Sequence, residues 1–312
     1  MFFIGKINYQ RCRALAMPAL LGTVVLLALV LIPGIGLVRN NARRWLGVGE
    51  LLTFQPSEIA KVAIVLYFAD SISKKKDKMH TFRYGILPYA LLLMLVGGLV
   101  LLEPHLSGAI LIMGAGAVIM LVGGINWAWV GGALGAAAAM MYFVLFVIGY
   151  NASRITYWLD PWEDAQGSGY QLSQSLLSIG SGGLLGVGLG KSRQKFMFLP
   201  EEHNDFIFAI VCEELGLIGA GIIMLLFAAL ILRGYWIALH ARDRFGSLMV
   251  VGIITLIALQ TFLNIGVVTG LLPTTGISLP FFSYGGTALS MQLAEMGIVL
   301  SVSRQMRPTK AG

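Results

Sequence analysis

The chain has 312 residues, 57% of them hydrophobic and 12% charged, with a mean hydropathy of +0.81. That composition excludes an ordinary soluble globule and predicts an all-α polytopic membrane protein. The formal charge of +7, from 22 Lys and Arg against 15 Asp and Glu, reads as an orientation signal and needs no nucleic acid to explain it.

The opening MFFIGKINY reads as the stub of a helix, since it lacks the basic, apolar and small-residue order of a cleavable signal. No charged residue stands between Arg13 and Arg39, which predicts one span. A second, beginning near Pro56, carries Glu58, Lys61 and Asp70, and a third fills the uncharged gap from Arg83 to Glu103. The stretch from Pro104 to Ser153 is long enough for two spans folded back near Gly123-Gly124-Ile125-Asn126. One more lies between Glu214 and Arg233, and Phe245 to Ala294 supplies two that turn around Leu272 to Gly286. With a span needing about 20 apolar residues, the total is about eight, which puts both termini on one side.

Alternating these spans gathers Lys6, Arg11, Arg13, Lys74, Lys75, Lys76, Lys78, Arg83, Arg233, Arg242, Arg244, Arg304, Arg307 and Lys310 on the side of the termini, which predicts that side to be cytoplasmic. Arg39, Arg43, Arg44, Arg154, Lys191, Arg193 and Lys195 fall outside, where they can bind an anion. Cys12 and Cys212 fall at different depths, which argues against a disulfide. No internal repeat suggests an inverted-repeat transporter. The whole of 1–312 is expected to be a single membrane domain with two outer loops, 151–205 and 272–286.

The longer loop far exceeds ordinary connections and is therefore expected to be functional. Tyr157 to Trp162 has interfacial aromatic content, and Tyr170 to Ile179 suits a short amphipathic helix lying on the membrane. The run from Gly180 to Ser192 fails the phosphate-loop pattern, because Leu185 stands five residues before Gly190 where Gly is required. A glycine hinge that lets backbone approach a substrate is the expectation.

Ionisable side chains inside a membrane are costly and carry a partner or a task. Glu58 and Lys61, three apart, share a helix face and can pair, as a structural pair or as a working one. Glu213 and Glu214 lie two to three turns beyond Asp205, and only part of that pair can share its side. His105 reads as a packed or solvated helix-end histidine. Asp205 precedes an apolar helix, where an N-cap and a chemical role compete evenly. A metal site from Glu201, Glu202, His203 and Asp205 lacks a recognised ligand spacing.

Several ordered motifs, spread nearly end to end, break that tie. They are Ala42-Arg43-Arg44-Trp45, Phe54-Gln55-Pro56-Ser57-Glu58 with Lys61, Gly169-Tyr170-Gln171, Gly182-Gly183 with Gly186, Leu199-Pro200-Glu201 with His203, Asp205-Phe206-Ile207-Phe208-Ala209, Glu213-Glu214-Leu215-Gly216, Pro273-Thr274-Thr275-Gly276, Leu279-Pro280-Phe281 and Ser283-Tyr284-Gly285-Gly286. With these the chain resembles the shape, elongation, division and sporulation (SEDS) family of peptidoglycan glycosyltransferases, which includes FtsW, RodA and SpoVE.

The resemblance implies a polymerase of lipid II at the outer face of the bacterial cytoplasmic membrane, with the growing glycan strand as acceptor. Asp205 takes the position of the family's essential outer-face Asp, as general base. The leaving diphosphate suits Arg43, Arg44, Lys191 and Arg193, with a divalent cation, magnesium or manganese, as an option. His203 and Ser283 join them as substrate contacts, and Glu58 with Lys61 match the family's intramembrane pair, read as support for a cavity. The implied partner is a class B penicillin-binding transpeptidase. A lipid II flippase and a noncatalytic scaffold are the alternatives. Two departures stand out: relatives usually have ten helices, so the chain is expected to lack the first one to two, and His105-Leu106-Ser107 replaces a common Asp-Leu-Gly.

Overall fold

The structure, a computed structural model, describes all residues except 40–41, 49–51, 76–77, 127, 130, 133–134, 136–156, 168, 195–203 and 307–312. Its organisation follows from one constraint: in hydrocarbon a backbone must satisfy its own N–H and C=O groups, so apolar stretches become helices. Helix α1 covers Phe2–Lys6, α2 Cys12–Leu31, α3 Pro56–Lys74, α4 Leu87–Leu102 and α5 Leu106–Val122. Then come α6 at Tyr170–Gly182, α7 at Ile207–Leu239, α8 at Arg244–Val268 and α9 at Gly286–Arg304. Among the described residues, the helical stretches Tyr9–Leu31, Phe82–Leu102, Ile207–Leu239 and Arg244–Val268 are long and apolar enough to cross a membrane. The span expected after the Gly123–Asn126 turn lies outside the described residues.

Between α2 and α3 the chain forms a small antiparallel sheet that the hydropathy pattern did not announce. Its strands are β1 Leu37–Arg39, β2 Ala42–Val48 and β3 Leu52–Phe54, in the order β1-β2-β3. Leu46 pairs with Phe54, and Ala42 and Leu46 point to a buried face. Strands this short leave almost no periodicity to read.

The chain forms two compact units. The first comprises 1–130, 230–259 and 285–312 and holds α1 to α5, the sheet and α9. Its centre is α3, which starts with Pro56 at the first helical position, where the missing N–H costs nothing. This helix is buried almost all round, with Ile64, Val65, Phe68 and Ile72 inside. Close helix approach is achieved by small residues: a Cβ on Gly252 would sit 2.6 Å from both Val65 Cγ1 and Ile119 Cδ1. At one end Arg13 meets Asp70 at 3.6 Å and Asp243 at 3.0 Å, and Tyr9 also donates to Asp243.

The second unit comprises 131–229 and 260–284. Its core joins Phe206, Phe208, Ala209, Cys212 and Phe227 to Val267, Val268 and Leu279. Helix α6 is the short amphipathic helix expected over 170–179. It buries Leu172 and a serine face, with Ser175 Oγ donating to Val268 O (2.8 Å) and Ser178 Oγ to Ala209 O (3.0 Å), while Leu177 is exposed. Hydroxyls on a helix surface can satisfy carbonyls of a neighbouring helix, which a plain apolar-inward rule overlooks.

Candidate functional site

In the second unit the segment Asn204–Phe206 forms a turn ahead of α7, and the loop 272–284 is built against it. Asn264 on α8 is the clamp: its Nδ2 donates to Asp205 O at 2.7 Å and to Ile277 O at 2.6 Å. Ser283 Oγ donates to Asn204 O (2.6 Å) and accepts from Leu279 N (2.7 Å). Phe281 is held at φ 65°, and Ser283 N closes the turn onto Leu279 O. A side chain kept in this sparsely populated region needs surroundings that enforce it.

Asp205 itself is half-buried. Its Oδ2 lies where only glycine leaves room, since a Cβ on Gly276 would stand 2.9 Å away. Helix α7 begins at Ile207, which leaves Asp205 one residue outside the capping position. The carboxylate is thus presented at a turn fixed by its backbone carbonyls, an arrangement suited to a base that must keep its place while a proton moves. Ser283, expected to touch substrate, is hydrogen-bonded to the turn that carries Asp205. His203, Glu201 and Glu202 lie outside the described residues.

Lys191 and Arg193 are exposed on the segment that follows the glycine run. Glu213, buried on α7, fixes that segment: its carboxylate accepts from Ser192 Oγ, from Arg193 N at 3.0 Å and from Ser178 Oγ at 3.4 Å. Glu214 Oε1 accepts from Ser192 N at 3.3 Å. Both acids therefore hold the same segment, Glu213 buried and Glu214 half-buried.

A separate constellation occupies the first unit. Lys61 Nζ lies 2.8 Å from Glu58 Oε2, both buried on α3. Glu295 on α9, also buried, is within electrostatic reach of Lys61 and Glu58. Sequence reasoning missed Glu295, although an acid midway along an apolar helix is itself a signal; it stood just past an uncharged run and passed for a flank. His105 Nδ1 lies 3.2 Å from Ser57 Oγ and 3.3 Å from Gln55 Nε2. Burial, then the positive charges of Arg44 and Lys61, push its pKa down to about 3, so the ring is neutral.

Arg43 and Arg44, expected to hold phosphate, are engaged with backbone. Arg43 Nη1 donates to Leu31 O at 3.1 Å, and Arg44 donates to Glu103 O at 3.1 Å and to Pro104 O. Glu103 is fully buried, and among the described residues neither carboxylate oxygen has a hydrogen-bond partner. Burial pushes its pKa up to about 8 against the opposing pull of Arg44. Among the described residues no group of His, Cys, Asp and Glu is arranged to hold a metal ion.

Comparison with known proteins places these features in a family. The family model for the FtsW/RodA/SpoVE cell cycle proteins matches residues 1–308. A probable peptidoglycan glycosyltransferase FtsW of Geobacter metallireducens is 45% identical over 305 residues, covering 97% of this chain and 81% of that protein. Stage V sporulation protein E of Bacillus subtilis is 45% identical over 311 residues, covering 98% and 84%. Among solved structures, a chain of a peptidoglycan synthase complex, studied for its coordination of polymerization and crosslinking, superposes with a TM-score of 0.83 at 30% identity, covering 99% of this chain and 86% of that one. Rod shape determining protein RodA of Thermus thermophilus gives a TM-score of 0.71 at 30% identity, covering 99% and 84%.

Proposed function

The chain belongs to the FtsW/RodA/SpoVE family of cell cycle proteins, and from that premise we infer that it is a peptidoglycan glycosyltransferase that polymerises lipid II with Asp205 as general base. The acceptor sugar hydroxyl gives its proton to the Asp205 carboxylate as its oxygen attacks the anomeric carbon of the donor. The bond from that carbon to the polyprenyl diphosphate breaks, and the leaving group takes the electron pair. One base and a stabilised leaving group suffice, as in half of an inverting glycosidase.

The observation that carries this reading is the fixed Asn204–Asp205 turn, held by Asn264 and Ser283 with the carboxylate against Gly276. Charge on the departing diphosphate falls to Lys191 and Arg193, which are exposed on the segment held by Glu213. They are favoured over Arg43 and Arg44, whose guanidinium groups already donate to backbone carbonyls. A magnesium or manganese ion can share that charge. The site works at the outer face of the bacterial cytoplasmic membrane, with both termini cytoplasmic, alongside a class B penicillin-binding transpeptidase that crosslinks the strand.

The test is polymerisation of purified lipid II by the parent and by Asp205→Asn, each paired with a cognate transpeptidase whose own active site is blocked. General-base loss should cost about 10²- to 10⁴-fold in rate while the variant stays folded. Equal rates would remove Asp205 from the chemistry. The buried Glu58–Lys61 ion pair and the buried Glu295 beside it favour lipid II transport as the second reading, because transport sites are polar and lie within the membrane. Transbilayer movement of labelled lipid II in proteoliposomes, lost in Lys61→Met and kept in Asp205→Asn, would favour it.

A further inference from the structure

The glycine run between α6 and Lys191 is stitched into α7 by a complete exchange of backbone hydrogen bonds. Helix α7 breaks at Gly216, which adopts φ 66° and ψ −171°. In an unbroken helix the N–H groups of Leu217 and Ile218 would bond the carbonyls of Glu213 and Glu214. Here Glu213 O and Glu214 O accept from Val187 N and Gly188 N, both at 3.0 Å, while Leu217 N and Ile218 N donate to Gly183 O (2.9 Å) and Leu184 O (3.2 Å). These four groups, opened by the break, are satisfied by residues 183–188. Glycine is required for this approach: a Cβ on Gly186 would sit 2.2 Å from Glu214 O, and one on Gly216 2.4 Å from Gly186 N. The expected hinge is thus a fixed insertion into the helix.

This stitching sets the depth of the segment. Beyond the break, residues 217–239 extend about 35 Å at 1.5 Å per residue, enough by themselves to cross a hydrocarbon core of about 30 Å. This part of α7 can therefore span the core alone, and it shows an apolar outer face that includes Leu217, Ile218 and Leu225. The glycine run continues that face. Leu184 and Leu185 adjoin Ile218 through the backbone bond and are exposed, Leu185 at 79%, as is Leu189 at 77%. Two cations, Lys191 and Arg193, stand exposed directly after these leucines.

We propose that residues 183–190 dock into the phospholipid bilayer itself, with Leu184, Leu185 and Leu189 in the acyl boundary of one leaflet and Lys191 and Arg193 at its phosphate plane. An apolar tip followed by cations is complementary to a layer of acyl chains beneath anionic phosphate. Irregular backbone is tolerated at this depth because α7 satisfies it. The proposal does not depend on the reaction assigned to Asp205, but it gives Lys191 and Arg193 the depth at which a lipid-linked diphosphate also lies.

The test places an environment-sensitive fluorophore at Leu185→Cys in the full chain carrying Cys12→Ser and Cys212→Ala, reconstituted in phosphatidylcholine and phosphatidylglycerol vesicles. Phospholipids with a spin label near the top of the acyl chain should remove more than about half of its emission, whereas a label at Gln166→Cys should be quenched by aqueous iodide instead. The Leu189→Cys label reports the same tip independently, in case the first substitution disturbs folding. Labels at both positions that iodide reaches as readily as at residue 166 would overturn the proposal. So would a tip that phospholipid quenchers do not reach and that responds only to added polyprenyl diphosphate, since the occupant would then be the lipid-linked donor.

Discussion

Gly276 and Glu103 show how much depends on single positions. A methyl group at Gly276 would meet Asp205 Oδ2 at 2.9 Å, closer than side chains normally approach. Gly276→Ala is therefore expected to push the carboxylate out of place and lower lipid II polymerisation at least about tenfold, since small displacements are costly in catalysis, with the melting temperature in detergent little changed. Glu103 makes the opposite kind of prediction. Its pKa is raised from 4.5 to about 8 by burial, so the folded state holds the proton longer than the unfolded one. Folding stability should then fall as pH rises from about 4.5 to about 8 and level off above. Glu103→Gln, neutral at every pH, should flatten that profile and melt higher than the parent at pH 9 in a thermal shift assay. Equal melting profiles would place the carboxylate in contact with water or a partner.

Helices α3 and α9 carry a prediction about shared charge. Lys61 faces Glu58 at 2.8 Å and is also within electrostatic reach of Glu295, so removing the cation strands the buried Glu58 carboxylate and takes the favourable charge from Glu295, whereas removing Glu58 leaves Lys61 a second acid nearby. Breaking a buried pair costs about 3 to 5 kcal/mol. Lys61→Met should therefore destabilise the protein more than Glu58→Gln by chemical denaturation in detergent, and adding Glu58→Gln and Glu295→Gln to Lys61→Met should recover most of the loss. Failure of that recovery would mean the acids do not depend on Lys61. Helix α6 was legible as an amphipathic helix from the periodicity of 170–179; that its serines face inward, donating to carbonyls of Val268 and Ala209, was not.

For the whole molecule, the distribution of Lys and Arg sets an orientation that can be measured directly. Alternation of the expected spans gathers Lys6, Arg11, Lys74, Arg83, Arg242 and Arg304 on one side, and the positive-inside rule then predicts both termini in the cytoplasm. A periplasm-active phosphatase fused after Asp160 should be active, while a fusion after Gly312 should be inactive and a cytoplasm-dependent reporter at that end should work. The reverse pattern would invert the topology and move Asp205 to the cytoplasmic face.

Hydrophobicity by itself determined the fold class and, among the described residues, the order of the long apolar helices, because the bilayer demands long apolar segments that satisfy their own backbone. The ordered motifs around Glu58, Asp205 and Ser283 point to the family by themselves. What only the tertiary structure decided are the pairings across distance: Asn264 clamping Asp205 and Ile277, Glu295 within reach of Lys61, and the glycine run filling the break in α7. Those depend on which carbonyls and charges are left unsatisfied once the helices have packed, a quantity that no local pattern of residues contains.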